Sequence, residues 1–126
     1  MRITLTDRES DLMEVLWDRG PSTVAEVRDQ LKADLAYTTV LTILRTLESK
    51  GYVSHAEEGR AHRYAPRVGR EAARRSALRE LSARFFKGST ELLFMHLVEQ
   101  QNLTDAQAER IRALLDERSK SKKDPP

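Results

Sequence analysis

The segment YTTVLTILRTLESK, residues 37–50, has two different faces when it is read at helical spacing. One face is apolar and carries Val40, Ile43, Leu44 and Leu47. The opposite face is polar and carries Thr38, Thr39, Thr42, Arg45, Thr46 and Ser49. Threonine loses rotamer freedom in a helix, so helix propensity alone does not account for four threonines on this face. Short hydroxyl side chains let a helix lie close to phosphates or base edges, and an ordinary solvent-exposed face is the alternative.

Two shorter helices are predicted before this segment, and each begins with a capping box. The sequences TDRE at Thr6–Glu9 and TVAE at Thr23–Glu26 place a threonine three residues before a glutamate, so that each side chain caps the amide of the other residue. Gly20-Pro21 ends the first helix, in which we expect Trp17 to belong to the core. A short helix, a tight connection at residues 32–36 and a second amphipathic helix form the helix-turn-helix pattern, whose second helix enters the major groove of DNA.

A β-hairpin is predicted at residues 52–66, where β-suited residues flank a turn that contains a glycine. A turn at Glu58 and Gly59 would place His55 directly opposite His62. Such a pair is able to bind a metal or to respond to pH. Because no thiol or carboxylate obviously completes a metal site, we favour a phosphate or solvent contact for His62. Three helices followed by a hairpin are the element order of a winged helix.

We divide the chain into a winged-helix domain at residues 1–67, a helical dimerisation domain at 68–118 and a disordered tail at 119–126. The predicted fold class is therefore mainly α with a small β-hairpin. The helical domain begins with a long helix over residues 69–86, and its next helix, 91–100, is apolar over most of its circumference. A helix of that kind must be buried on more than one side, so we expect a second copy of the chain to cover it. Packing of these helices against the winged helix of the same chain is the alternative. The residues expected to form the dimer contacts are Leu78, Leu81, Phe85, Leu92, Leu93, Phe94, Leu97, Val98, Ile111, Leu114 and Leu115.

Positive charge is concentrated in the middle of the chain, although the net charge is only +2. Residues 1–34 hold five basic and eight acidic side chains, whereas residues 45–75 hold eight basic and four acidic ones. A polyanion is attracted to the second region, which begins on the threonine-rich helix and continues beyond the hairpin. The residues expected to contact DNA phosphates are Thr46, Lys50, Arg60, His62, Arg63 and Arg67.

The composition argues against several other classes of protein. A chain of 126 residues without cysteine has neither disulfides nor thiolate metal sites. No apolar run reaches the roughly 18 residues that a membrane span needs, so we expect no membrane insertion. Catalytic triads, metal-binding motifs and glycine-rich phosphate loops are missing, and we expect no enzyme activity, no cofactor and no metal. The start, MRITLTDRES, lacks the apolar core of a signal peptide, which favours a cytoplasmic location.

Most of the chain matches the pattern of one known family. The matching segments are LTDRESDLMEVLW, STVAEVRDQL, LAYTTVLTILRTLESKGYV, GRAHRYAP, FFKGS and LTDAQAERIRALLDE. The specific part is a Tyr-Thr-Thr-Val run that leads into a helix ending Leu-x-x-Lys-Gly, followed by a hairpin ending Arg-Tyr-x-Pro. In these features the chain resembles the penicillinase and methicillin-resistance repressors, the BlaI/MecI type. The resemblance implies a homodimeric repressor whose winged helices bind an inverted repeat in double-stranded promoter DNA, with the C-terminal helices forming the dimer.

The resemblance also implies roles for individual residues. Its major-groove positions are Tyr37, Thr38, Thr39, Thr42 and Arg45, and its wing contacts are Arg60 and Arg63. In that family a membrane-bound sensor protease triggers cleavage in the long helix after the wing. Members with known induction have an Asn-Phe bond there, whereas this chain has Glu80-Leu81. Leu41 stands where some relatives have a basic residue, and the cysteine cluster of a copper-sensing sister branch is missing.

Two other functions agree with the same elements. A winged helix can serve protein contact without reading DNA, and the acidic residues 1–34 favour that function. A small-molecule-sensing regulator would need a pocket between the winged helix and the apolar helices.

Overall fold

The computed structural model describes residues 1–123, with side chains described through residue 120. The elements in chain order are α1 (Asp7–Arg19), β1 (Ser22–Thr23), α2 (Val24–Gln30), α3 (Tyr37–Ser49), β2 (Val53–Glu58), β3 (Ala61–Pro66), α4 (Arg70–Phe85), α5 (Thr90–Gln100) and α6 (Asp105–Lys123). The first three helices and the β2–β3 hairpin form a winged helix-turn-helix, which confirms the predicted fold class. None of the helices in this part of the chain combines the length and apolar composition that crossing a membrane requires.

Both predicted capping boxes of the winged helix are present at the starts of α1 and α2. The amide of Glu9 donates to the hydroxyl of Thr6 at 3.2 Å, and the amide of Thr6 donates to the carboxylate of Glu9 at 2.8 Å. Thr23 and Glu26 make the same pair of hydrogen bonds at 3.2 and 2.9 Å. Each cap satisfies backbone amides that a helix start otherwise leaves without partners, so these two helices begin at residues that the sequence alone specifies.

The core of the winged helix lies between α1, α2, α3 and the hairpin. On α3, the predicted apolar face is buried at Val40, Leu44 and Leu47, and Ile43 packs against the edge of this core. Trp17 lies at the same edge, where its indole nitrogen donates to the carbonyl oxygen of Val68 at 2.9 Å. The fully packed side of α3 forces its polar side outward. The buried core residues are Ile3, Leu12, Met13, Leu16, Val24, Val27, Val40, Leu44, Leu47, Tyr52, Val53 and Tyr64.

The sheet has three strands in the order β1-β3-β2, and its first strand has no signal in the sequence. The β1 strand is only two residues long and pairs antiparallel with the wing, Ser22 opposite Tyr64 and Thr23 opposite Arg63. A strand of two residues has no alternation of apolar and polar side chains, so only its partner reveals it. This pairing joins the wing directly to the start of α2.

The hairpin register differs from the predicted one. Glu58 pairs with Ala61, so the two-residue turn is Gly59-Arg60 and lies one residue later than expected. Gly59 has a φ of +62° and takes the first turn position, where type II′ hairpins have glycine. The predicted pairing of His55 with His62 is therefore wrong, and His55 lies opposite Tyr64.

The first compact unit extends from Met1 to Leu81, beyond the predicted boundary at residue 67. The early turns of α4 are part of it, because the hydroxyl of buried Ser76 accepts a hydrogen bond from the amide of Ile3 at 2.7 Å. Arg70 adds ion pairs to α1, at 2.7 Å to Glu14 and 2.5 Å to Asp18. Small side chains allow this helix to approach the core closely, which the domain division from sequence did not take into account.

The second compact unit begins at Ser82 and contains the end of α4 together with α5 and α6. The predicted break between α4 and α5 is present, and Lys87 and Gly88 both adopt positive φ there. Helix α6 continues to Lys123, although residues from 119 onward were predicted to be disordered. Serine and lysine residues are compatible with a helix. The rest of the predicted tail, residues 124–126, lies outside the described residues.

Candidate nucleic-acid interface

The polar face of α3 is exposed along its whole length. The ring of Tyr37 stands at the start of this helix, 45% exposed, and the guanidinium of Arg28 lies 6.0 Å from its centroid. A cation at that distance from an aromatic face is attracted to it. The residues predicted to enter the major groove are therefore all on one accessible surface: Tyr37, Thr38, Thr39, Thr42 and Arg45. Thr46, predicted to contact phosphate, lies on the same surface, which we call the reading face.

Two hydroxyls of the reading face have a defined orientation. Thr42 donates its hydroxyl proton to the carbonyl of Thr38 at 2.9 Å, and Thr46 donates to the carbonyl of Thr42 at 3.0 Å. A hydroxyl that gives its proton to the helix keeps its oxygen lone pairs as acceptors. Acceptors on a major-groove helix match the amino groups of adenine and cytosine. The sequence showed the threonines, but not that these two are oriented as acceptors.

The predicted wing residues fall into two groups. Arg60 lies in the hairpin turn and Arg67 follows β3, and both are exposed. Arg63, in contrast, is part of a dense set of internal contacts. Its guanidinium donates to the carbonyl of Pro21 at 3.0 Å, to Glu26 at 3.1 Å and, through Nε, to Glu58. The backbone amide of Thr23 and the guanidinium of Arg19 lower the pKa of Glu26 to about 2, so that this carboxylate stays charged.

Lys50, expected to contact phosphate, also has an internal partner. Its ammonium lies 2.8 Å from the carboxylate of Glu9, a residue that is only 4% exposed. Burial raises the pKa of Glu9, but hydrogen bonds from Lys50 and Thr6 outweigh that effect and hold the pKa below its usual value. Lys50 is the C-cap of α3, so this ion pair connects the end of the reading helix to α1.

The two histidines of the wing meet in a way that the sequence did not predict. Their rings stack with centroids 4.5 Å apart, because His55 and His62 are diagonal neighbours on one face of the hairpin. Nδ1 of His55 lies 2.7 Å from the carboxylate of Glu48 on α3, and its backbone amide donates to the same carboxylate at 3.1 Å. Among the described residues, no group of three or more His, Cys, Asp and Glu side chains is arranged to hold a metal ion.

The residues predicted to form the dimer are mostly exposed. Phe85 is 68% exposed and Leu114 61%, and α5 has no buried residue at all. Leu92, Leu93 and Ile111 are half-buried within the second unit. Met95 and Leu103 are exposed in the same way but were not predicted as contacts. The exposed members of the predicted set are Leu78, Leu81, Phe85, Phe94, Leu97, Val98, Leu114 and Leu115.

Comparison with known proteins identifies the family. Residues 5–117 match the model of the penicillinase repressor family. The transcriptional regulator BlaI of Mycobacterium tuberculosis is 39% identical over 108 residues, which cover 82% of this chain and 78% of that protein. The penicillinase repressor of Bacillus licheniformis is 24% identical over 122 residues, 95% of each chain.

A solved structure agrees with this result at the level of the winged helix. The solution structure of the DNA-binding domain of the repressor BlaI matches with a TM-score of 0.50 and 28% identity, over 56% of this chain and 90% of that domain. These relatives are regulators of transcription rather than enzymes, as expected. The sequence resemblance is confirmed, and the chain belongs to the penicillinase repressor family.

Proposed function

We propose that this DNA-binding transcriptional repressor acts as a homodimer on an inverted-repeat operator, with the reading face of α3 in the major groove of each half-site. The observation that carries the proposal is the division of α3 into a fully packed side and an exposed side of threonines and one arginine. A helix held in this way presents its polar side chains without any rearrangement of the core. DNA as the target is also the reason to place the protein in the cytoplasm.

Within the reading face, Arg45 and the threonines have different tasks. Arg45 has the donors that match O6 and N7 of guanine, the commonest specific contact in the major groove. Thr42 and Thr46 offer acceptor oxygens, which match adenine or cytosine amino groups. Thr38, Thr39 and Tyr37 lie at the helix start and position it against the groove wall. Phosphate contacts come from the exposed Arg60 and Arg67 and from His62. The acceptor orientation of Thr46 does not favour the phosphate contact predicted for it.

The dimer is proposed from the second unit. Exposed apolar side chains on α5 and α6 are costly in water, and a second copy of the same unit offers a matching surface. A two-fold dimer presents its two reading helices in opposite orientations, and an operator that mirrors this symmetry is an inverted repeat. Two half-sites bound together raise the affinity far above that of one winged helix.

A direct test uses the DNA upstream of the protein's own gene. We expect a gel shift with that fragment, a footprint with two related half-sites, and weaker binding at the higher of two salt concentrations. Binding that is equal for the fragment and for random DNA would reject operator recognition. The absence of any shift at low salt would instead favour a winged helix that serves protein contact.

Release of the operator by a membrane sensor protease is part of the same proposal, through the bond Glu80-Leu81. Both residues lie inside α4, and Glu80 accepts a hydrogen bond from Arg2 at 2.7 Å. A protease binds its substrate in extended form, so α4 must unwind locally before this bond is cut. Mass spectrometry of the protein from induced cells should find a fragment that ends at Glu80. An intact chain in derepressed cells would exclude cleavage as the signal.

A further inference from the structure

The glutamates of both capping boxes of the winged helix bind cations in addition to the amide that a cap requires. In a capping box the glutamate serves the amide of its own threonine. Here the same carboxylate oxygen of Glu9 also accepts from Lys50 at 2.8 Å. Likewise, the oxygen of Glu26 that accepts from Thr23 also accepts from Arg63 at 3.1 Å. The other oxygen of Glu26 accepts from Arg19 of α1 at 2.6 Å. Lys50 and Arg63, in contrast, are cations from elements predicted to contact DNA.

We propose that Glu9 and Glu26 position the reading helix and the wing on DNA, acting through Lys50 and Arg63. In this view the two cations are positioning residues and do not bind phosphate themselves. The inference rests on the proposed function, because it assigns tasks within the same DNA-binding surface. It changes the role that the sequence predicted for both cations.

The Lys50–Glu9 ion pair connects α1 to the end of α3 and holds them at a fixed distance. Glu9 lies on α1 and is 4% exposed, whereas Lys50 caps the end of α3. If the Lys50 ammonium moved away to bind a phosphate, the buried carboxylate of Glu9 would lose its cation. An unpaired buried charge is strongly unfavourable. The pair therefore stays closed when DNA is bound, and it fixes how far the end of α3 stands from α1.

In the wing, Arg63 makes a similar connection to the rest of the domain. Arg63 lies on β3 and contacts three points outside its own strand, at Pro21, Glu26 and Glu58. Its planar guanidinium has five donors in a fixed fork, so several partners hold it in one orientation. Through Pro21 and Glu26 the wing is joined to the segment that follows α1 and to α2 itself. The low pKa of Glu26 keeps its carboxylate charged at neutral pH, so the ion pair with Arg63 persists.

The exposed arginines provide the contrast. Among the ion pairs of the described residues, none involves Arg60 or Arg67. These two guanidinium groups lie at the turn and after β3 with their donors available to phosphate. A substitution at Arg60 is therefore the matched control for a phosphate contact in the same surface.

The test measures the dissociation constants of the full chain for its operator and for random DNA, at several salt concentrations. We expect Lys50→Met and Glu9→Gln each to weaken operator binding about tenfold, the scale of one good base contact. Binding to random DNA and the salt slope should remain as in the wild type. The double variant should bind no more weakly than either single variant, because both changes remove one and the same pair.

Arg60→Ala should behave differently from Lys50→Met and Glu9→Gln. It should weaken binding to operator and random DNA by the same factor and reduce the salt slope by about one unit. The inference is overturned if Lys50→Met gives this Arg60 pattern. It is equally overturned if Glu9→Gln binds the operator as the wild type does, including the case in which only its melting temperature falls.

A second pair keeps the inference testable if the buried Glu9 site does not tolerate change. Arg63→Met and Glu26→Gln should show the same pattern at the wing, with lower operator affinity and an unchanged salt slope. A reduced slope for Arg63→Met would return this residue to phosphate binding and contradict its positioning role. Failure of the wild type to prefer any operator would contradict the proposed function, and it is distinguishable because no variant is involved.

Discussion

At the scale of single residues, the surface of the winged helix separates charges that are already paired from charges that are available. Lys50 and Arg63 form ion pairs with glutamates of α1 and α2, while Arg45 is exposed on the reading face. Sequence position alone did not distinguish them, because all three are basic residues of the same charged region. Only the fold brings Glu9 and Glu26 next to cations that are 41 and 37 residues away in the chain.

Substitution of Arg45 tests the reading face. We expect Arg45→Ala to weaken operator binding by about 1–3 kcal/mol and to relax specificity at one base pair in each half-site, because a bidentate contact is lost. Binding to a set of operators with single base changes would measure both effects. An unchanged footprint together with unchanged affinity would remove Arg45 from the base contacts.

Glu26 gives a prediction for the pH dependence of stability. Its pKa is lowered from 4.5 to about 2 in the folded chain, so the folded state binds fewer protons than the unfolded state in that interval. The stabilisation by its carboxylate is complete above pH 4.5 and is lost as the pH falls towards 2. Glu26→Gln should therefore be less stable than the wild type at neutral pH, by a difference that shrinks on acidification.

Urea denaturation at several pH values measures that difference. A difference for Glu26→Gln that stays constant down to pH 2 would contradict the paired carboxylate.

At the scale of the elements, the parts that local patterns specify were predicted well. The apolar face of α3 and the capping boxes depend on residues three or four positions apart, and both are present in the fold. The hairpin register was wrong, because two adjacent residues could begin the turn and the conformation of Gly59 decided between them. Strand β1 was missed altogether, because two residues form a strand only where β3 offers a partner.

The glycine in the wing turn provides a test of this register. Gly59 has a φ of +62°, and an alanine there adopts a conformation that costs about 1–2 kcal/mol. Gly59→Ala should lower the free energy of unfolding by about that amount, measured by urea denaturation. Gly69→Ala is the control, because Gly69 does not have a positive φ and a Cβ there meets nothing within 4 Å. Equal losses for both variants would rule out the assigned turn.

At the scale of the whole molecule, the chain forms two compact units with a boundary after Leu81, whereas the division predicted from the sequence lies at residue 67. The first compact unit includes α4 as far as Leu81, because small side chains such as Ser76 let this helix pack on the winged helix. The sequence showed where the helix begins, but not which of its turns are held by α1. The exposed apolar side chains of the second unit agree with the predicted contact between copies, which stays a prediction.

The oligomeric state is the measurement for this scale. Light scattering of the wild type at micromolar concentration should give the mass of two chains. Leu97→Glu places a charge on an exposed apolar side chain of α5 and should produce monomers, with a large loss of operator affinity. Gln100→Glu adds a charge to the same helix at a polar position and should remain dimeric. A monomeric wild type would require another account of the second unit.

The ion pair between Lys50 and Glu9 has a consequence for the kinetics of DNA binding. A reading helix whose orientation is set before contact loses little conformational entropy when it enters the groove. Encounter is then governed by the exposed arginines of the wing, which attract every stretch of DNA alike. Discrimination between DNA sequences then depends on how long each complex lasts. Operators of different affinity should therefore differ in dissociation rate, while their association rates remain nearly equal.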